Sequence, residues 1–299
     1  MITYVNGSIF VSPARVLVNT VNTEGVMGKG IALRFKKIFP EMFREYQHLC
    51  ESRVIDIGVL WLFKTSHKWI LNFPTKRSWR QPSRLDYIEA GLAKFRKEYA
   101  ELKIHSIAFP ALGCGNGELN WDDVRPVMEE YLSDLPLNVF VHPPHTQVEL
   151  PEHRNQAEIA TWLRAEPSTL PFTEVWRDIE MLLSEKRVFS TGAKAFTAYV
   201  EDNLQDRMLV AVTESRKHTI AYDSLKEIWS RFRTVGYLRR GFVTADVEKK
   251  LYYLMPILAE LPYVDPITLS EKGTHRSYNA LQYVAATESN RQQTLFPIG

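Results

Sequence analysis

The fold is decided by one stretch near the N-terminus, Asn19-Thr20-Val21-Asn22-Thr23-Glu24-Gly25-Val26-Met27-Gly28-Lys29-Gly30-Ile31-Ala32. It follows a short apolar run, turns through three glycines and continues into a segment with helical spacing. A strand, a glycine-rich turn and a helix start favour an anion site, because glycines let backbone N–H groups come close and the helix N-terminus is positive. The amides of Asn19 and Asn22 suit ribose hydroxyls, since each can donate and accept.

Two commoner nucleotide motifs do not match this stretch. A P-loop requires Ser or Thr after its lysine, and here Gly30 follows Lys29. The dinucleotide fingerprint G-x-G-x-x-G is also absent. A phosphate site and a purely structural turn therefore both remain open at this point.

Composition indicates a globular protein whose net charge is too small to indicate a particular class of partner. The chain has 299 residues, of which 45% are apolar, and a formal net charge of +2. No apolar run approaches the roughly 20 residues of a membrane span, and the start lacks a signal-peptide pattern, so we expect a cytoplasmic protein without a membrane partner. Two cysteines, Cys50 and Cys114, are too few for a disulfide framework or a cysteine zinc site, and no metal site is predicted.

Short buried strands alternate with helices from Ile2 to about His142, which predicts a mixed, mostly parallel sheet sandwiched by helices. A second glycine-rich loop, from Ala111 to Leu119, follows a late strand. The loop Pro74–Pro82 follows another strand. Loops at the carboxyl ends of such strands are where ligands collect in α/β sheets.

The second half of the chain has a different pattern. Prolines punctuate residues 146–170 like a linker, and helical spacing then predicts a mainly α domain over 171–285. Its expected helices are Glu174–Glu185, Ala193–Leu204, Ser224–Phe232 and Thr244–Leu261. Residues 286–299 are expected to form a flexible tail, and Gln292–Phe296 in it resembles the peptide that docks on bacterial sliding clamps.

Cations and aromatics are interleaved between Ile57 and Leu85, where there is no Asp or Glu. This composition suits a nucleic-acid face through phosphate pairing and base stacking, and it equally suits a hairpin with core aromatics and solvated charges. Within it, Arg77, Trp79 and Arg80 are the candidate DNA contacts.

Two glycine-rich loops on a sheet of this order resemble a macrodomain, the ADP-ribose-binding α/β module, over residues 1–145. The combination of Asn19–Asn22, Gly28–Gly30, Phe73–Lys76 and Leu112–Gly115 is more specifically similar to the DarG antitoxins, which are relatives of the terminal ADP-ribose protein glycohydrolases. The resemblance implies ADP-ribose as ligand and product, no cofactor, Asn22 orienting the distal ribose and Lys76 acting on it. The ligand contacts that it implies are Ser8, Ile9, Asn19, Thr20, Gly28, Lys29, Gly30, Ile31, Ala111, Gly113, Cys114, Gly115, Asn116, Gly117, Glu118 and Leu119.

The sequence departs from the wider family at two positions. Many macrodomains carry Asp where this chain has Ser8, so adenine recognition must use Ser8 or backbone groups. The eukaryotic glycohydrolase relatives carry a catalytic Asp in the second loop where this chain has Gly117, which leaves Lys76 as the main catalytic candidate. Lys76 could attack the anomeric carbon or stabilise charge as the bond breaks. Cys114 is expected to be a small loop residue rather than a nucleophile.

The function implied by the resemblance is that of an antitoxin. It would remove ADP-ribose from DNA bases, thymidine above all, and bind a DarT-type DNA ADP-ribosyltransferase through its C-terminal domain. One alternative is a non-hydrolytic ADP-ribose-binding module. Another is an interaction protein whose second domain neutralises the toxin by occlusion.

Overall fold

We describe the protein from a computed structural model, which covers residues 1–144, 150–192, 194–202, 206–241, 245–270 and 277–285. The chain forms two compact units, Met1–Ile159 and Ala160–Gly299. The sliding-clamp peptide predicted at Gln292–Phe296 lies outside the described residues. Among the described residues, no helix combines the length and the apolar character that crossing a membrane requires.

The first unit alternates strands and helices as predicted. Its elements are β1 (Ile2–Tyr4), β2 (Val16–Val21), α1 (Gly30–Ile38), α2 (Pro40–Glu51), β3 (Trp61–Lys64), β4 (Trp69–Pro74), α3 (Leu85–Glu98), β5 (Ser106–Pro110), α4 (Trp121–Leu132) and β6 (Asn138–His142). Local sequence sets several boundaries: α2 begins at Pro40, and the Asn120 side chain caps α4 by accepting a hydrogen bond from the backbone N–H of Asp122 at 3.0 Å.

The strands form one mixed sheet in the order β1-β6-β5-β2-β4-β3. All neighbouring strands are parallel except β3 and β4, which are antiparallel. Because β5, β2 and β4 are adjacent and parallel, the loops that follow them emerge at the same edge of the sheet. The fold therefore brings the two glycine-rich loops and the loop of Lys76 together.

Alternating residues of the strands divide the core between the two faces of the sheet. Val16 and Val18 of β2 pack on one face with Leu92 of α3 and Met128 of α4. Leu17 and Val21 pack on the other face with residues of α1 and α2. The predicted sandwich of a mostly parallel sheet between helices is confirmed.

The remainder of the chain contains both helices and sheets. Its elements are α5 (Gln156–Ala165), α6 (Phe172–Glu185), β7 (Val188–Thr191), β8 (Lys194–Asp202), β9 (Arg207–Val212), β10 (Lys217–Ala221), α7 (Tyr222–Val235), β11 (Tyr237–Arg239), α8 (Ala245–Leu258), β12 (Val264–Ser270) and β13 (Ser277–Tyr283). The strands form antiparallel sheets in the orders β10-β9-β8-β7 and β11-β13-β12.

The expectation of a mainly α second domain therefore needs correction. The predicted helix Ala193–Leu204 is instead strand β8. Phe196 and Ala198 are buried and the residues beside them in β8, Ala195 and Thr197, are exposed, which is the period of a strand. Helical spacing and strand alternation overlap in this short segment, and pairing with β7 and β9 decides between them. The helices predicted around Glu174–Glu185, Ser224–Phe232 and Thr244–Leu261 correspond to α6, α7 and α8.

Candidate active site

The first glycine-rich loop follows β2 and is organised by Asn22. The Asn22 amide nitrogen donates to the carbonyl of Val26 at 2.7 Å, and its oxygen accepts from the backbone N–H groups of Glu24 at 3.0 Å and Val26 at 3.2 Å. The Tyr46 hydroxyl donates to the backbone carbonyl of Asn22 at 2.6 Å. Burial raises the pKa of Tyr46 well above its ordinary value, which keeps this hydroxyl a donor.

These contacts change the role expected for Asn22. Its side chain is 3% exposed and both of its polar atoms are used within the loop. Asn22 therefore shapes the loop, and the bond to Val26 uses one of the two N–H groups of its amide. Asn19 also differs from expectation, because it is fully buried and donates to the Asn72 side chain on β4 at 2.9 Å. It joins two strands and has no surface for a ligand.

The loop of Lys76 is tied to the first loop along its length. The backbone N–H of Thr75 donates to Val21 O at 2.9 Å, and that of Thr23 donates to Arg77 O at 3.1 Å. The Ser78 hydroxyl donates to the carboxylate of Glu24 at 2.8 Å. Lys76 is thereby fixed between the loops, and it is 6% exposed.

The second glycine-rich loop winds tightly around Ser83. The backbone N–H of Ser83 donates to Gly117 O at 2.9 Å, and that of Leu119 donates to Gly113 O at 3.0 Å. A Cβ atom added to Gly117 would lie 2.2 Å from the Ser83 hydroxyl and 2.4 Å from Gly113 O. Glycine is therefore required at 117.

The two glycine-rich loops also meet directly. Gly30, at the start of α1, has φ +56°, and a Cβ there would lie 2.5 Å from the Asn116 amide nitrogen. Lys76 donates to Asn116 O at 3.2 Å. Asn116 of the second loop thus lies close to Gly30 of the first loop and also accepts a hydrogen bond from Lys76.

A segment after β6, from Leu150 to Arg154, completes this site. Lys76 pairs with Glu152 at 3.2 Å, and Lys29 donates to Leu150 O at 3.0 Å. Glu118, at φ +60°, pairs with Arg154 at 2.7 Å and lies 2.6 Å from His153 Nε2. The hydrogen bond with His153 and the charge of Arg154 lower the pKa of Glu118. Sequence patterns gave no sign of this segment, which is a short polar stretch without periodicity.

The remaining predicted contacts differ in exposure and fall into three groups. The half-buried residues are Ser8, Thr20, Lys29, Gly30, Ile31, Ala111, Cys114, Asn116 and Leu119. Two residues, Gly115 and Glu118, are exposed. Three glycines of the loops, Gly28, Gly113 and Gly117, are buried. The Ser8 hydroxyl accepts from the backbone N–H of Phe10 at 3.4 Å and so caps a short 3-10 helix. Ile9 is 5% exposed and its side chain packs in the core.

Cys114 has the environment of an unreactive thiol. Burial raises its pKa to about 12, and its Sγ donates to Leu112 O at 3.4 Å. The nucleophile in cysteine chemistry is the thiolate, which this environment disfavours. The geometry therefore agrees with the expectation of a small loop residue.

The predicted DNA contacts are only partly available. Trp79 is fully buried, and the Arg80 guanidinium lies 3.9 Å from the centre of its ring. Trp79 therefore offers no exposed face for a base to stack on. Arg77 is exposed and pairs with Asp56 at 2.6 Å.

Comparison with known proteins agrees with this geometry. Residues 18–128 match the family model described as "Macro domain". A protein of Mycobacterium tuberculosis named "DNA ADP-ribosyl glycohydrolase" is 45% identical over 149 residues, which cover 48% of this chain and 42% of that protein. A protein of Thermus aquaticus with the same name is 40% identical over 173 residues, covering 56% of this chain and 47% of that protein.

A third relative carries two activities in its name. It is the "DNA ADP-ribosyl transferase-DNA ADP-ribosyl glycohydrolase fusion protein" of Thermosipho africanus, 37% identical over 159 residues that cover 47% of this chain and 41% of that protein. The chain thus spans less than half the length of each of these three relatives. The family match at residues 18–128 contains the three loops, and the N-terminal unit is accordingly a macrodomain, in a chain similar to proteins named DNA ADP-ribosyl glycohydrolase.

Proposed function

We propose that this chain removes ADP-ribose from modified DNA bases and so acts as the antitoxin of a DNA ADP-ribosyltransferase. One observation carries the proposal: Lys76 is held between the two glycine-rich loops of a macrodomain that is 45% identical to a DNA ADP-ribosyl glycohydrolase. Thymidine is the proposed base, because the lysine resembles that of thymidine-type enzymes. The fusion of transferase and glycohydrolase in the Thermosipho africanus relative supports a pairing with such a toxin.

The chemistry of the site centres on the Lys76 amine. When ADP-ribose is lost, the bond between the anomeric carbon and the base nitrogen breaks and positive charge develops on the sugar ring. As a deprotonated amine, the lysine can attack that carbon and form a bond that water then hydrolyses to free ADP-ribose. As an ammonium, it can instead donate a proton or a hydrogen bond to the departing base while water adds to the carbon. The glycine-rich loops supply backbone N–H groups for the pyrophosphate, whose charge needs donors of this kind.

The decisive experiment is to replace Lys76 by Ala and measure release of ADP-ribose from an ADP-ribosylated thymidine oligonucleotide. Loss of a group that acts on the transition state should lower the rate by about 100-fold or more. Binding of free ADP-ribose is measured in parallel. A variant that hydrolyses at the wild-type rate would contradict the proposal, and a wild-type chain that binds but never hydrolyses would establish the non-hydrolytic module instead.

Neutralisation by occlusion is separated from hydrolysis by using the full chain. Cells that express a DNA ADP-ribosyltransferase toxin are given either the wild-type chain or its Lys76→Ala variant. If hydrolysis is the antitoxin activity, the variant fails to restore growth. Full restoration by the variant would show that binding of the toxin, which we assign to the second unit, is sufficient.

A further inference from the structure

Residues Leu150–Arg154 touch every loop of the site. Leu150 accepts a hydrogen bond from Lys29 of the first loop, Glu152 pairs with Lys76, and both His153 and Arg154 contact Glu118 of the second loop. Contacts on both sides of Glu152 fix the backbone that carries it. The position of its carboxylate is therefore determined by the macrodomain loops themselves.

The pair of Lys76 and Glu152 is shielded from water. The side chains are 8% and 6% exposed, and their atoms are 3.2 Å apart. Removing two charges from water costs several kcal/mol per ion, and such a pair often contributes little net stability compared with apolar side chains. The stability of the fold therefore does not explain this buried ion pair. A functional site that needs its lysine held in one orientation does explain it.

The second loop cannot supply the carboxylate itself. Gly117 has no room for a side chain, since an added Cβ would lie 2.4 Å from Gly113 O. Glu118 extends to His153 and Arg154, and no contact between it and Lys76 is seen. In the part of the chain that the structure describes, the carboxylate paired with Lys76 comes from Glu152.

We propose that Glu152 is the positioning residue of Lys76, an inference that rests on the proposed glycohydrolase activity. Its charge-assisted hydrogen bond and the Asn116 carbonyl together hold the Lys76 amine at one place in the site. An ammonium group has three donors, so a third remains for the substrate. Glu152 thus acts on the reaction through the lysine and does not itself bind ADP-ribose.

The test compares Glu152→Gln with Glu158→Gln, a matched change of an exposed carboxylate in the following helix. Glutamine has nearly the same shape and still accepts a hydrogen bond, but it lacks the charge that fixes the amine. We expect Glu152→Gln to lower kcat by about 100-fold, the effect of a reactive group misplaced by about 1 Å. ADP-ribose affinity and KM should change little, and Glu158→Gln should behave as the wild type.

Two further measurements keep the test decisive. Glu152→Asp keeps the charge but shortens the reach, so its kcat should fall between those of the wild type and Glu152→Gln. Lys76 labelling by reductive methylation, read by mass spectrometry, should be slow in the wild type and faster in Glu152→Gln, provided that both melt at similar temperatures. This readout reports on the ion pair without requiring turnover.

Three results would overturn the inference. Tighter ADP-ribose binding with equal or faster turnover in Glu152→Gln would show that the segment occludes the site. Unchanged kcat would make Glu152 a bystander, and equal labelling in both proteins would show that the pair does not hold the lysine in solution. A wild-type chain without hydrolytic activity refutes the proposed function instead, and the labelling comparison then still decides whether Glu152 positions Lys76.

Discussion

Replacing Gly117 by Ala should destabilise the second loop, although the substitution adds a single methyl group. The added Cβ would lie 2.2 Å from the Ser83 hydroxyl, 2.4 Å from Gly113 O and 2.7 Å from Ser83 Cβ. The contact with Gly113 O involves backbone, and Gly113 is itself at φ +70°, so a rotamer change cannot relieve it. The loop has to open.

Overpacking of this kind costs about 1–3 kcal/mol of unfolding free energy. For a domain of this size, the melting temperature falls by roughly 2–4 °C per kcal/mol. Gly115 provides the control in the same loop, because an added Cβ there meets nothing within 4 Å. Gly115→Ala should therefore melt close to the wild type, while Gly117→Ala melts several degrees lower and loses ADP-ribose affinity.

The same geometry predicts the outcome of placing a carboxylate at position 117. Gly117→Asp should be less stable than the wild type and no faster, since its Cβ meets the same atoms before the carboxylate can reach Lys76. Removing the Ser83 hydroxyl in a Ser83→Ala background leaves the 2.4 Å contact with Gly113 O, so it should not rescue Gly117→Ala. Equal melting temperatures for Gly115→Ala and Gly117→Ala, or a faster Gly117→Asp enzyme, would refute this reasoning.

Three further predictions concern neighbouring groups. With its pKa raised to about 12 by burial, Cys114 should resist iodoacetamide at pH 8 in the folded chain and react once denaturant exposes it, and Cys114→Ser should keep near wild-type turnover; rapid labelling of the native thiol would contradict this. The Glu118 contacts lower the pKa of that carboxyl, so their stabilisation is complete above the ordinary value and is lost as pH falls through the lower folded value. Hydrogen-exchange protection over 113–119 and 152–154, corrected for the intrinsic pH dependence of exchange, should therefore fall below the ordinary carboxyl pKa of about 4.3, and constant protection would count against it. Trp79→Ala should lower stability by about 3–5 kcal/mol in denaturant unfolding, because the side chain is fully buried, and a variant of wild-type stability that lost only DNA affinity would restore the stacking role.

Sequence patterns predicted the architecture of the first unit because the signals for its strands, loops and helices lie within short segments of the chain. The apolar run at Val16–Val18, the glycines of the two loops and the helical spacing after Gly30 each constrain their own segment. Parallel strands then require their following loops to share one edge. The meeting of Lys76 with the second loop follows from that rule, and the contact with Asn116 O at 3.2 Å agrees with it.

Contacts between distant segments were not predictable in the same way. Glu152 lies in a polar stretch after several prolines, where neither spacing nor composition distinguishes it from a linker residue. Asn22 was expected to face the ligand because amides suit ribose, but its partners Val26 and Tyr46 are fixed by loop shape and by α2. Exposure is a property of the folded surface, so sequence patterns could not show that Trp79 and Asn19 are buried.

The burial of Trp79 changes how DNA would be held beside the site. Its ring is buried and gives a base no exposed face, whereas Arg77 is exposed and can meet a phosphate. An exposed pair such as Arg77 with Asp56 is worth little, so a phosphate can replace the carboxylate. Holding the strand by charge without stacking should make turnover strongly salt-dependent and nearly indifferent to flanking bases, whereas binding of free ADP-ribose should depend much less on salt.

We expect Arg77→Ala to flatten the salt dependence for oligonucleotide substrates, because one phosphate contact is lost. Oligonucleotides that differ only in the bases beside the modified thymidine supply the complementary measurement, and a strong base preference that survives at high salt would show that a stacking surface elsewhere holds the strand.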